Sequence, residues 1–297
     1  MARGVPIGAA SPMGDRPAWF RSIVGACDAF TRRRPAAGMR AAAAAGRLVN
    51  AGGLWGPAPR ELARVFPWLT PAGARRLARQ VAGEDLRSRA FDRFLQSGAV
   101  AEDVASRFEP GHLARLDERL ARHPAAVLLT VHSGPAGTIA FVLRHLGRPA
   151  LIVRAGERGT HFPGFDVATL EGDEQLRAKA VLRALAHLGR GLPVVIAADG
   201  SHGASCEPVP CCGGTIRFRR GPFVLARLAR VPIVPLAFRW AGGGIEVEAG
   251  EPIFPPAGGE AGERERAMAA EAGAWLEGRL RARPGELSVK LLRCFEA

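Results

Sequence analysis

His132 is the residue around which a chemical site can be organised in this sequence. It follows an apolar run, residues 125–131, that is typical of a strand buried on both faces of a sheet. Pro135 then fits the first turn of a helix, where its missing N–H costs nothing. A histidine between a buried strand and a helix lies where open α/β sheets bind their ligands. The alternative is a strand-end histidine that is bonded to a backbone carbonyl.

Arg217, Arg219 and Arg220 are a second group of candidate binding residues. They precede a Gly-Pro pair that predicts the start of a helix. Strand alternation places Arg217 and Arg219 on one face, and guanidinium groups beside a helix N-terminus suit a phosphate group. Arg154, at the end of another predicted strand, supports the same interpretation more weakly. The alternative for these arginines is a solvated surface.

One histidine and three cysteines have residue types that suit a metal: His202, Cys206, Cys211 and Cys212. Structural zinc sites usually have two cysteines separated by two to four residues, and the adjacent pair does not fit that spacing. We therefore favour a loop over the site. The five cysteines are irregularly spaced, which indicates reduced thiols. Nucleotide-binding and serine-nucleophile motifs are absent from the sequence, and no metal or redox cofactor is expected.

The composition fits a globular protein, with 47% apolar residues among 297. No apolar run approaches the roughly 20 residues of a membrane span, and the first 14 residues lack the apolar centre of a signal peptide, so we expect a cytoplasmic protein. The net charge of +13 lies mostly in residues 1–124, which carry 20 basic and 11 acidic side chains. That basic face suits an anionic lipid surface or an acidic partner; the alternative is a solvated basic surface. Scattered arginines without a binding motif argue against nucleic acid.

The pattern of predicted elements changes near Pro124. Before it, helices are predicted over residues 18–30, 36–49, 71–82, 85–97 and 111–122. After it, strands are predicted over 125–131, 150–154, 167–170, 193–198, 215–218, 233–239 and 245–249, and helices over 138–146, 174–188, 221–229 and 263–281. This alternation predicts an α/β fold, a mostly parallel sheet flanked by helices with an α-helical N-terminal region packed against it. We expect a disordered N-terminus over 1–16, a helical region over 17–123, and an α/β domain over 124–297 that forms one compact unit with it.

Several blocks together resemble the glycerolipid/lysophospholipid acyltransferase superfamily, in particular its lipid A (lauroyl/myristoyl) acyltransferase-like branch. The strand and His132 are similar to the family's first block, a histidine followed five positions later by Asp or Glu. Residues 197–203 and 213–222 are similar to its third block, and residues 231–236 to its fourth. Residues 64–69 and the helices after them resemble the amino-terminal region of that branch. The resemblance covers roughly residues 60–285 in order.

The sequence departs from the family at Gly137, where the first block has its acid. In the family the histidine is the general base and the acid orients its ring. The resemblance therefore implies that another carboxylate lies beside His132, or that fast acyl transfer is lost. Asp199 is the favoured substitute, because it ends a strand that we expect beside the first one. Asp166 and Glu207 are weaker candidates, and for Asp199 the alternative is an ordinary Asp-Gly turn.

The resemblance implies an acyltransferase of lipid biosynthesis. It would move a fatty acyl group from a thioester donor, acyl carrier protein or coenzyme A, to a hydroxyl or amine of a lipid or small-molecule acceptor. His132 would be the base, with Ser133 beside it and backbone N–H groups near Gly134 and Gly137 stabilising the oxyanion. The arginine group would hold phosphate, an apolar groove would hold the acyl chain, and membrane contact would be peripheral. Two alternatives stay open: a catalytically weakened member that binds acyl chains or a protein partner, and a thioester or ester hydrolase.

Overall fold

The computed structural model describes residues 18–51, 55–109, 111–154, 165–170, 174–199, 205–242 and 244–296. The helices in these ranges are α1 (Ala18–Arg33), α2 (Pro35–Ala51), α3 (Pro59–Val65), α4 (Pro71–Gln96), α5 (Ala101–Ala105), α6 (His112–Arg122), α7 (Ile139–His145), α8 (Glu174–Gly189), α9 (Gly221–Ala229), α10 (Ala261–Ala282) and α11 (Val289–Leu292). The strands are β1 (Val127–Thr130), β2 (Leu151–Arg154), β3 (Asp166–Thr169), β4 (Val194–Ala197), β5 (Cys206–Cys211), β6 (Gly214–Arg219), β7 (Ile233–Ala241) and β8 (Gly244–Ala249). The N-terminus predicted to be disordered, residues 1–16, and the block residues 200–203 lie outside the described residues.

A six-stranded sheet forms the centre of the fold, in the order β3-β2-β4-β1-β7-β8. Its neighbouring strands are parallel, except that β8 runs antiparallel to β7. The predicted α/β class, with a mostly parallel sheet flanked by helices, is therefore confirmed. All four residues of β1 are buried, as expected for a strand covered on both faces.

Two hydrophobic clusters cover the two faces of this sheet. Val127 and Leu129 of β1 point to one face, where they join buried residues of α8, α9 and α10. Leu128 points to the other face and joins residues of α5, α6, α7 and the end of α4. Because alternate residues of a strand point to opposite faces, β1 is fixed between the two helical layers. Among the described residues, no helix is both long enough and apolar enough to cross a membrane.

The helix α4 is continuous over 26 residues, so the prediction of two helices over 71–82 and 85–97 is wrong. Gly83 lies near the expected break, but it serves the packing of α4 against α2. A Cβ at Gly83 would lie 2.8 Å from the Ala43 carbonyl oxygen, and one at Gly46 would lie 2.4 Å from the Ala82 carbonyl oxygen. The small residues of α2 thus allow the two helix backbones to approach each other.

A separate two-stranded antiparallel ribbon consists of β5 and β6. The sequence predicted β6 but missed β5, because Pro208 and Pro210 argue against a strand. Both prolines are exposed and pair with Arg217 and Thr215 across the ribbon. Among the described residues β5 pairs only with β6, whose other edge bonds to residues 294–296, so the outer edge of β5 can accommodate the missing N–H groups.

Candidate functional site

His132 and Asp199 lie side by side at the carboxyl edge of the sheet. β1 and β4 are parallel neighbours in which Thr130 pairs with Ala197. Two residues further along each strand, the chain reaches His132 and Asp199 at the same level. From β1 the chain continues to β2, and from β4 it continues towards β7 on the other side of β1. The carboxyl ends of parallel strands are where α/β proteins bind ligands.

The Asp199 carboxylate holds both the backbone and the ring of His132. The His132 N–H donates to both carboxylate oxygens at 2.9 Å, and Nδ1 lies 3.1 Å from Oδ1. The Asp199 side chain is fully buried, whereas 42% of the His132 side chain is exposed. A carboxylate at Nδ1 favours the tautomer with the proton on that nitrogen. The other ring nitrogen, Nε2, then has a lone pair with which to accept a proton.

The negative charge of Asp199 raises the pKa of His132 above its ordinary value, against the opposing effects of burial and of the positive charge on Lys290. An opposite charge beside a group favours its charged form. The imidazolium that forms when Nε2 accepts a proton is therefore stabilised.

The turn after His132 fits closely against the neighbouring strand β7. Gly134 has a φ of +50°, and a Cβ there would lie 2.4 Å from the Phe238 carbonyl oxygen, so only glycine fits. Ser133 is buried, and its hydroxyl has no hydrogen-bond partner among the described residues. Pro135 precedes a single 3-10 turn over residues 136–138, and α7 begins only after it. The prediction that Pro135 occupies the first turn of an α-helix is therefore wrong.

A segment from far along the chain closes the other side of His132. The Ser288 hydroxyl donates to the His132 carbonyl oxygen and accepts the Leu291 N–H at 3.0 Å, which caps α11. Burial raises the pKa of both Asp85 and Asp92 on α4, and the positive charge of Lys290, which lies in this short helix, opposes that rise. The α11 segment thus brings a cation to the same site.

A cavity of about 740 Å³ opens beside His132, within the range of small-molecule sites. Its polar wall comes largely from α4, through Asp85, Ser88, Arg89 and Asp92. Its apolar wall includes the aromatic side chains Trp55, Phe238 and Trp240. The cavity lining is thus mixed, whereas the sequence predicted an apolar groove between the helical region and the sheet.

Sequence reasoning missed the contribution of α4 to this cavity. Asp85, Ser88 and Asp92 follow one another at helical spacings of three and four, so they share one side of the helix. Such a stripe looks like a solvated face when only the sequence is known. The apolar residues along the rest of α4, from Leu77 to Leu95, were the available sign that this helix is largely buried.

Two of the predicted arginines are engaged in ion pairs away from the cavity. Arg217 pairs with Glu296 at 3.1 Å, and both side chains are exposed. Arg220 donates to the buried carboxylate of Glu265 at 2.6 Å. Neither arginine is among the described residues that line the cavity.

The other predicted residues lie at different distances from His132 along the sheet. Arg154 ends β2, which is separated from β1 by β4. The backbone N–H of Arg219 donates to the Ala198 carbonyl oxygen at 2.8 Å, which places this arginine near Asp199. Of the weaker acidic candidates, Asp166 begins the edge strand β3 and Glu207 lies in β5. The structure therefore brings only Asp199 to the imidazole among the predicted acids.

The cysteines of the proposed loop lie along the ribbon. Cys206 begins β5, Cys211 ends it, and Cys212 follows in the turn with its Sγ 3.9 Å from that of Cys211. Within the described ranges, no three or more His, Cys, Asp or Glu side chains are grouped so as to hold a metal ion. His202 lies outside those ranges.

The arrangement can thus orient an imidazole so that Nε2 is the nitrogen that accepts a proton, and it stabilises the imidazolium that then forms. The glycines at 134 and 137 line the same cavity, where backbone N–H groups can meet a developing negative charge. Nothing in this geometry alone specifies a substrate. In comparisons with known proteins, the sequence matches no protein-family model and no curated protein.

Proposed function

We propose that this protein is an acyltransferase of the glycerolipid acyltransferase type, which moves a fatty acyl group from a thioester to a hydroxyl or amine. The observation that supports this best is the contact of His132 with Asp199 beside a cavity at the strand ends. It supplies the oriented base that the sequence resemblance requires. The acid that orients the ring is Asp199, which follows β4, and it takes the part that the family gives to the residue at position 137.

In the proposed reaction, His132 Nε2 accepts the proton of the acceptor's hydroxyl or amine while that oxygen or nitrogen attacks the thioester carbonyl. The carbonyl oxygen gains the negative charge, which backbone N–H groups at Gly134 and Gly137 stabilise. The intermediate then breaks its carbon–sulfur bond, and the imidazolium returns its proton to the leaving thiolate. The products are the acylated acceptor and the free thiol of acyl carrier protein or coenzyme A.

Asp199 has two parts in this scheme. It keeps the Nδ1 proton in place, so that Nε2 is the basic nitrogen, and it stabilises the imidazolium by its charge. Loss of a general base typically lowers the rate about 10²–10⁴-fold. His132→Ala should therefore abolish most transfer without changing the apolar side chains of the cavity.

The test is acyl transfer by the full-length protein from acyl carrier protein and coenzyme A thioesters, with free fatty acid measured in the same samples. His145→Ala is the matched control, because His145 is exposed on α7. We expect His132→Ala to lose transfer and His145→Ala to keep it. Full transfer by His132→Ala would refute the mechanism.

The same assay separates the two alternatives. A hydrolase would release free acid at the same rate with or without an acceptor, and this release would depend on His132. A catalytically weakened member would bind an acyl chain but transfer it from no thioester; the glycine at position 137 is the observation that favours this second candidate.

We propose that the phosphate-bearing part of the substrate binds where β6 ends and α9 begins, beside the predicted arginines. Arg217 is in an exposed pair with Glu296, and such pairs contribute little stability, so a phosphate could replace the carboxylate. Arg217→Ala should raise KM more than it lowers kcat. An unchanged KM for every phosphate-bearing donor and acceptor would exclude this corner.

We also propose that α1 and α2 contact the inner face of a membrane peripherally. Trp19 and Phe30 are exposed about three turns apart on α1, and Leu48 is exposed on α2. The three arginines at 32–34 are exposed beside Phe30. Apolar side chains among cations suit an anionic bilayer surface.

Vesicle sedimentation tests this contact. Binding to vesicles with anionic lipid should fall in high salt and after replacement of the arginines at 32–34 by glutamine. Equal binding to zwitterionic vesicles, or resistance to both salt and carbonate, would contradict a charge-driven surface contact.

A further inference from the structure

Asp92 lies against Gly137, in the wall of the cavity beside His132. A Cβ built at Gly137 would lie 3.2 Å from Asp92 Oδ1 and 3.6 Å from the Leu95 side chain. A contact of 3.2 Å is tighter than most real Cβ contacts, so a side chain at 137 would begin in tight contact with the Asp92 carboxylate. Asp92, on α4, thus packs against the side of Gly137 where a side chain would project.

The Asp92 carboxylate is not used by the fold in the way that Asp199 is. Asp199 is bound to the ring and the backbone of His132. Among the described residues, by contrast, none forms a hydrogen bond or close ion pair with Asp92. Both Asp92 and His132 line the cavity. A half-buried carboxylate without a partner is costly unless something uses it.

The charges around Asp92 come from three directions. Lys290 on α11, His132 after β1 and Arg89 on α4 each favour its ionised form, and Asp85 on α4 opposes it. The attraction between Asp92 and the imidazolium is mutual, since a coupling between two ionising groups acts equally on both. Asp199 remains the largest influence on the ring.

We propose that Asp92 is a second carboxylate acting on His132, a positioning residue that stabilises the imidazolium from the cavity side. It occupies the space that a side chain at position 137 would otherwise fill. This inference rests on the proposed function, since it assigns Asp92 a part in the same proton transfer. With Asp199 at Nδ1, the ring has one fixed carboxylate behind it and a second one facing the reaction space.

The direct test is an NMR titration of the His132 ring in the full-length protein. Asp92→Asn should lower the pKa of His132, the direction expected when a nearby negative charge is removed. Asp85→Asn is the matched control, because Asp85 faces the same cavity two turns away and is not against Gly137. It should lower this pKa less.

A second pair of variants tests the shared space. Gly137 has no positive φ, so its backbone accepts an aspartate. Gly137→Asp alone should unfold more easily, because its Cβ and carboxylate meet Asp92. Combined with Asp92→Ala, it should regain stability and bring the His132 pKa back towards the wild-type value. Such a compensation is the sign of two residues in contact.

The inference is overturned if Asp92→Asn leaves the His132 pKa unchanged, if Asp85→Asn lowers it equally, or if Asp92→Ala does not rescue Gly137→Asp. Its failure is separable from that of the proposed function. A lowered pKa in Asp92→Asn without any wild-type acyl transfer would refute the enzyme but keep the effect of Asp92 on the ring. Transfer by the wild type with no change of pKa would refute the part of Asp92 alone.

Discussion

Replacing Asp92 by asparagine should make the protein more stable at neutral pH. Burial raises the pKa of the Asp92 carboxyl from its ordinary value of 3.8 to about 6, despite the opposing charges of Lys290 and His132. The folded protein therefore holds this proton more tightly than the unfolded chain. For such a group the stability falls as the pH rises from about 4 to above 6. Asparagine has nearly the same shape and does not titrate in this range.

The magnitude follows from that pKa difference. At about 1.36 kcal/mol for each pKa unit, a rise from 3.8 to about 6 corresponds to about 3 kcal/mol above pH 6. The side chain is half-buried beside an open cavity, and water there reduces the effect. We therefore expect Asp92→Asn to increase the free energy of unfolding by about 1–3 kcal/mol at pH 7.5 and by close to zero at pH 4.

Urea unfolding followed by tryptophan fluorescence at pH 4, 6 and 7.5 measures this difference at constant ionic strength. His132 is present in both proteins, so its titration enters the comparison only through the change in its pKa that Asp92→Asn causes. Asp103→Asn is the control, because Asp103 is exposed on α5, and its effect should be small at every pH. A stability difference that does not change with pH, or a variant that is less stable at pH 7.5, would refute the reasoning. A stable but less active variant would instead fit a site that sacrifices stability for function.

Three further predictions concern the residues that hold His132 in place. Asp199→Asn should lower the pKa of His132 and so move the acidic limb of the kcat/KM profile to lower pH. It should also reduce the rate by about 10²–10⁴-fold. An acidic limb that does not move would mean that a group other than His132 determines it. Gly134→Ala should cost at least about 2 kcal/mol more than Gly147→Ala in urea unfolding, since both have positive φ but only the first meets backbone; equal losses would contradict the close packing. Ser288→Ala should cost about 1–2 kcal/mol, because it removes both a helix cap and a bond to the His132 carbonyl, and unchanged unfolding would show that this contact is weak.

The centre of the site could be anticipated because it follows from strand geometry. A buried apolar run predicts β1, and the residue after it must lie at the carboxyl edge of the sheet. The same argument applied to β4 led to Asp199, and the expectation that this strand lies beside β1 is confirmed by their parallel pairing. The contact with His132 required the order of strands, which depends on packing between segments distant in the chain.

The other side of the site could not be anticipated, because local pattern does not report which helix face is buried against which partner. Asp92 belongs to a polar stripe that looks solvated until α4 is placed over Gly137. Ser288 is an ordinary helix cap until the chain brings it back to His132. The helix break predicted near Gly83 is absent for the same reason, because that glycine allows α4 to pack closely against α2 and does not interrupt its own helix.

The bond between Ser288 and the His132 carbonyl has a consequence for synthesis on the ribosome. The α4 wall, the histidine turn and Asp199 leave the exit tunnel in that order, and the segment carrying Ser288 follows well over a hundred residues after His132. At about 5–20 residues per second, a nascent chain exposes an unfinished cavity for several seconds before α11 can close it. Partially made chains should therefore lack the hydrogen bond from Ser288 to the His132 carbonyl oxygen. A chaperone would be most useful during this interval.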